Sequence, residues 1–60
     1  MTVEEIKLLD NQIISDEQFE EIELNEHVIA MENLGDSSQY TGKTWFDVQF
    51  DDETSIDVFC

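Results

Sequence analysis

The stretch WFDVQFDDETSIDVF, residues 45–59, decides the fold. Phe46, Val48 and Phe50 alternate with Trp45, Asp47 and Gln49, and after four polar residues the alternation resumes, with Ile56 and Val58 set against Ser55, Asp57 and Phe59. A period of two is the signature of a strand with one face buried. DDET, residues 51–54, has the polar character of a turn, so the stretch reads as a β-hairpin. It also carries Asp47, Asp51, Asp52, Glu53 and Asp57. Same-face residues on a strand lie ~6.6 Å apart, twice the rise per residue, and like charges facing each other on paired strands are destabilising. A hairpin so loaded calls for an explanation outside folding.

Upstream of the hairpin the period changes. Thr2 and Glu5 form a capping box, with Met1 and Ile6 at the flanking staple positions, and Val3, Ile6 and Leu9 follow at helical spacing. This predicts a helix over 3–10. Ser15 and Gln18 make a second box, flanked by Ile14 and Phe19, and predict a helix over 16–23 with Phe19 and Ile22 facing inward. Asp16 and Glu17 stand in its first turn, where the helix dipole favours anions. Both helices are shorter than the ~12–15 residues an isolated helix needs, so they must dock on a sheet. HVIAMENL, residues 27–34, is the candidate first strand, and the segment 35–43, which holds both glycines, reads as a loop. The expected fold class is α+β: two short N-terminal helices on one face of a three-stranded antiparallel β-meander, forming a single domain over 1–60. The pairing order of the first strand stays open.

Charge narrows the function. Sixteen acidic residues face two lysines, Lys7 and Lys43, for a formal net charge of −14. Self-repulsion on this scale opposes compaction. A solubilising surface normally mixes both signs. Nucleic acids need cations to neutralise phosphate, so neither DNA nor RNA is expected as a direct partner. Anionic lipids would repel the chain, and no apolar run is long enough to span a bilayer. The acidic N-terminal segment lacks the basic and apolar regions of a signal peptide, and a single cysteine, Cys60, allows no internal disulfide. A reducing, cytoplasmic location is expected.

Chemistry-bearing motifs are sparse. His27 is the sole histidine, with no orienting partner or nucleophile at a recognisable spacing. Pairing it with Cys60 would need a fold-level coincidence. Gly35 and Gly42 suit turns and form no phosphate loop. The acidic DDET turn with Asp47 or Asp57 could gather oxygens for a divalent ion, yet the EF-hand spacing is missing. The expectation is a non-enzyme with no cofactor and no metal.

A compact anion with few cations has the electrostatic character of a nucleic-acid backbone. In size and acidity the chain is similar to the phage-encoded DNA-mimic inhibitors, a class that includes anti-CRISPR proteins, anti-restriction proteins and uracil-DNA glycosylase inhibitors. The resemblance implies blocking of the cationic groove of a basic nucleic-acid-binding protein, such as a CRISPR effector or another host nuclease, in the host cytoplasm. The contact residues expected on that reading are Asp47, Asp51, Asp52, Glu53 and Asp57 of the hairpin, Trp45 beside them, and Glu17, Glu20 and Glu21 on the second helix. The alternative is a non-mimic regulatory module that binds through exposed aromatics. Trp45 and Phe59 fall on the hairpin face opposite the inner apolar set, where they form a hot spot, cover the sheet as a cross-strand pair, or pack in a homodimer.

Overall fold

The computed structural model describes all of residues 1–60. Both capping boxes form. The Thr2 hydroxyl accepts from the Glu5 N–H while Glu5 accepts from the Thr2 N–H, and Ser15 and Gln18 repeat the exchange. They launch α1 (Val3–Lys7) and α2 (Asp16–Glu23). The predicted helix over 3–10 is three residues too long. After Lys7 the chain tightens into i→i−3 bonds, from Leu9 N–H to Ile6 and from Gln12 N–H to Leu9. Asn11 then adopts a left-handed φ of 61°, which ends the helix.

That turn delivers the largest correction. Gln12–Ile13 is a strand, β1, which precedes β2 (Val28–Asp36), β3 (Thr44–Phe50) and β4 (Ser55–Phe59). The sheet is four-stranded and mixed, in the order β1-β4-β3-β2, not a three-stranded antiparallel meander. β2, β3 and β4 pair antiparallel, and β1 lies parallel to β4 on its free side. The Asn11 and Ile14 N–H groups reach the Asp57 and Phe59 carbonyls at 2.7 and 2.8 Å, so two residues suffice to seal that edge. A strand this short leaves no alternating pattern to read. β2 begins one residue later than expected and runs two further, taking Gly35 and Asp36 from the predicted loop. It carries register shifts at 28–30 and 33–35, and Gly35, with φ 91°, sits in the second.

The core lies between the helices and the inner face of the sheet. Ile6, Ile14 and Ile22 meet Val48, Phe50, Ile56 and Val58 there. Phe19 of α2 packs edge-on against Phe46 of β3 with ring centroids 4.8 Å apart. α2 therefore turns its glutamates away from the sheet, and all of Glu17, Glu20, Glu21 and Glu23 are exposed.

Candidate protein-binding surface

Register determines which side chains share the outer face. Thr44 and Cys60 exchange both backbone hydrogen bonds, at 2.9 and 3.0 Å. The alternation of an antiparallel ladder then makes Asp47 and Asp57, which are directly opposed, a non-hydrogen-bonded pair, the closer of the two pairing types. Glu32 of β2 opposes Asp47 from the other side. Residues opposed across a ladder point to the same face. Glu32, Asp47 and Asp57 thus form an acidic row across three strands, with cross-strand Cβ separations of ~5 Å. Asp10 extends it, since its carboxylate accepts from the Asp57 N–H at 3.1 Å.

Neutralisation of the row is slight. Gln49 Nε2 donates to Asp47 at 3.1 Å, while the carboxylate of Asp57, a half-buried residue, takes no hydrogen bond from any protein donor. The next row along the same face is aromatic. Trp45 opposes Phe59, and Ile13 follows Phe59 on β1. Phe59 is only 4% exposed, which corrects the expectation of a partly exposed hot-spot aromatic and agrees with the alternative in which it covers the sheet as a cross-strand pair with Trp45. The loop after β2 folds over it. Ser37 Oγ accepts from the Gln39 and Tyr40 N–H groups, and the Tyr40 ring meets Phe59 edge-on at 4.8 Å. The Tyr40 hydroxyl donates to the Asn11 carbonyl at 3.1 Å, tying the loop to β1. Trp45 keeps 37% of its surface exposed.

The hairpin tip behaves differently from the face. Lys7 Nζ lies 2.8 Å from Asp52 and 5.4 Å from the Phe50 ring centroid. Asp52 also accepts from the Thr54 N–H and hydroxyl. The Lys7 bond, followed by those from Thr54, lowers the Asp52 carboxyl pKa to about 2. His27 Nδ1 sits 2.9 Å from Asp51, and this hydrogen bond and the Asp51 charge raise the imidazole pKa above its ordinary 6.5. Two of the five hairpin carboxylates are therefore answered from within the chain. Glu53 is not, and it occupies a left-handed φ of 69°, unusual for a residue with a Cβ.

The nine residues singled out from the sequence do not form one surface. Asp47, Asp57 and Trp45 share the outer sheet face; Asp51, Asp52 and Glu53 crown the hairpin; Glu17, Glu20 and Glu21 lie beyond the helical layer on the other side. Sequence reasoning missed Glu32 and Asp10, because a bulged strand hides the facing of Glu32 and only the β1 edge brings Asp10 to Asp57. The partners Lys7 and His27 lie 45 and 24 residues from their carboxylates, so no local spacing announces them. No three His, Cys, Asp or Glu side chains converge to ligate a metal ion. Cys60 is held near Asp16 at 3.6 Å, and burial, then that carboxylate, raises its thiol pKa. No helix is long and apolar enough to cross a membrane. No family model matches the chain, and comparison with curated proteins and with solved structures finds no match either.

Proposed function

We propose that the chain is a small anionic inhibitor that occupies the cationic nucleic-acid-binding groove of a partner protein in the cytoplasm. The observation that carries this reading is the row Glu32–Asp47–Asp57, an exposed and two half-buried acidic residues on the outer sheet face, with no ion pair to an internal cation. The fold spends its scarce positive charge elsewhere. Lys7 and His27 hold the hairpin tip, and Lys43 makes no ion pair. A surface that retains mutual repulsion in the free state gains most when lysines and arginines of a partner arrive, and its field speeds the encounter. α2 supplies a second anionic side, suited to a partner that wraps around the chain.

The test is capture of partners on immobilised protein at low and at high salt, with duplex DNA as competitor. The mimic reading expects nucleic-acid-binding proteins that elute with salt and are displaced by DNA. Combined Glu32→Gln, Asp47→Asn and Asp57→Asn should abolish capture while the fold is retained. Salt-indifferent capture that survives this triple change, yet is lost in Trp45→Ala, would replace the mimic with a module binding through its aromatic row. The 37% exposure of Trp45 is the observation that keeps this second reading in view.

A further inference from the structure

Between the 37–40 loop and the outer sheet face lies an open groove of about 110 Å³. Its walls are chemically unlike each other. Trp45 and Phe59 form the apolar side, Asp57 supplies a carboxylate, and Asn11, Ser38 and Gln39 add amide and hydroxyl groups. On adjacent strands Asp57 is the diagonal neighbour of Trp45, within reach of a long or aromatic side chain. The loop wall is braced by the two bonds to Ser37 Oγ and by the Tyr40 bond to Asn11.

We propose that this groove receives an arginine side chain of the partner, with the guanidinium against the Trp45 indole and paired to Asp57. The inference rests on the reading above and deepens it, by naming one contact and the residue type that makes it. Three features converge on guanidinium. An indole face attracts a planar cation, and Arg also stacks on it. The Asp57 carboxylate has no protein donor, and the fork geometry of Arg matches a carboxylate. Asp47, directly opposite, and Asp10, bonded to the Asp57 backbone, deepen the negative potential, while neither lysine lines the groove. A lysine ammonium could meet the charge requirement but lacks the plane that stacks and the fork that pairs. A second copy of this chain is a poor occupant, because it would bring another −14 to the same face.

Trp45 is the only tryptophan, so its fluorescence reports on this groove alone. The probes are N-acetyl-arginine amide and its neutral isostere, N-acetyl-citrulline amide, titrated at matched ionic strength. The arginine probe should give a saturable change in emission, and the citrulline probe should bind about 10-fold or more weakly, the scale of losing a charge-assisted hydrogen bond. Asp57→Asn should remove the discrimination while circular dichroism stays unchanged. In ¹⁵N NMR spectra the side-chain amides of Asn11 and Gln39 should shift with the arginine probe, a readout that does not depend on the indole. No saturable response, or equal responses to the two probes, overturns the proposal. If that happens while salt-labile capture of DNA-binding proteins persists, the inhibitor reading stands and the groove assignment falls. Selective arginine binding without any such capture supports the groove and overturns the inhibitor reading.

Discussion

Neutralising Asp47 should make the free protein more stable. The side chain lies between Glu32 and Asp57 on adjacent strands, so Asp47→Asn removes two like-charge contacts while Gln49 can still donate to the retained carbonyl oxygen. Coulomb's law at ~5 Å in a water-like dielectric gives ~0.8 kcal/mol per contact, within the roughly 0.2–1 kcal/mol expected of cross-strand pairs. Two contacts therefore total about 1.5 kcal/mol. For a domain of this size 1 kcal/mol shifts Tm by about 4–8 °C, so the variant should melt roughly 6–12 °C higher at low salt. Glu32→Gln, with a single neighbour and an exposed, flexible side chain, should gain at most half as much. Thermal melts followed by circular dichroism at low ionic strength give both values. Repeating them in ~1 M salt, where the Debye length is about 3 Å, should remove most of the difference. If Asp47→Asn melts at or below the parent temperature in low salt, the row is already compensated in the free chain. No partner would then be needed to supply the row's counter-charge.

Other consequences follow from the hairpin tip and the aromatic row. His27 has its pKa raised by Asp51, so its contribution is fully present below pH 6.5 and is lost as pH rises through the higher folded value. Melting temperature should accordingly climb from pH 8 to pH 6, and His27→Gln should flatten that climb. The Asp52 contribution has the opposite sense, since its carboxyl is depressed from 3.8 to about 2: it is present above pH 4 and fades only as pH falls toward 2, a loss that Lys7→Met should largely remove from an acid titration. Glu53→Gly should stabilise the chain by about 1 kcal/mol, because glycine accepts the left-handed φ of 69° without the Cβ penalty; a lower denaturation midpoint would show that the Glu53 side chain supports the turn. Phe59→Ala should cost about 3–5 kcal/mol, enough to unfold most of a small domain, whereas Trp45→Ala, at an exposed site, should leave the fold intact in chemical denaturation.

What could be read in advance was local. Capping boxes involve residues three apart, and Thr2–Glu5 and Ser15–Gln18 each launch a helix as written. Alternation placed Val48, Phe50, Ile56 and Val58 in the core and set Asp47 and Asp57 on the other face. What escaped depends on contacts between distant segments. Gln12 and Ile13 become a strand only because β4 offers an open edge beside them. Phe59 occupies an outward position by parity yet is buried, because Tyr40, nineteen residues earlier, folds over it. Glu32 joins the acidic row through a register that two irregularities obscure.

The division of charge within the hairpin also bears on how its function can be tested. Asp51 and Asp52 look like the natural residues to reverse, since they sit at the tip in a run of anions. Yet Asp52 ties the turn to α1 through Lys7 and orders Thr54, and Asp51 holds His27 at the start of β2. Reversing them would set a cation against each of these partners and strip the turn of its hydrogen bonds, so lost binding could reflect a loosened hairpin. The outer row has the opposite property. Removing charge from Glu32, Asp47 or Asp57 relieves repulsion in the free chain while withdrawing the anions a cationic partner would meet. A variant there that melts higher and binds worse separates recognition from folding, because instability cannot account for lost affinity in a protein that has become more stable.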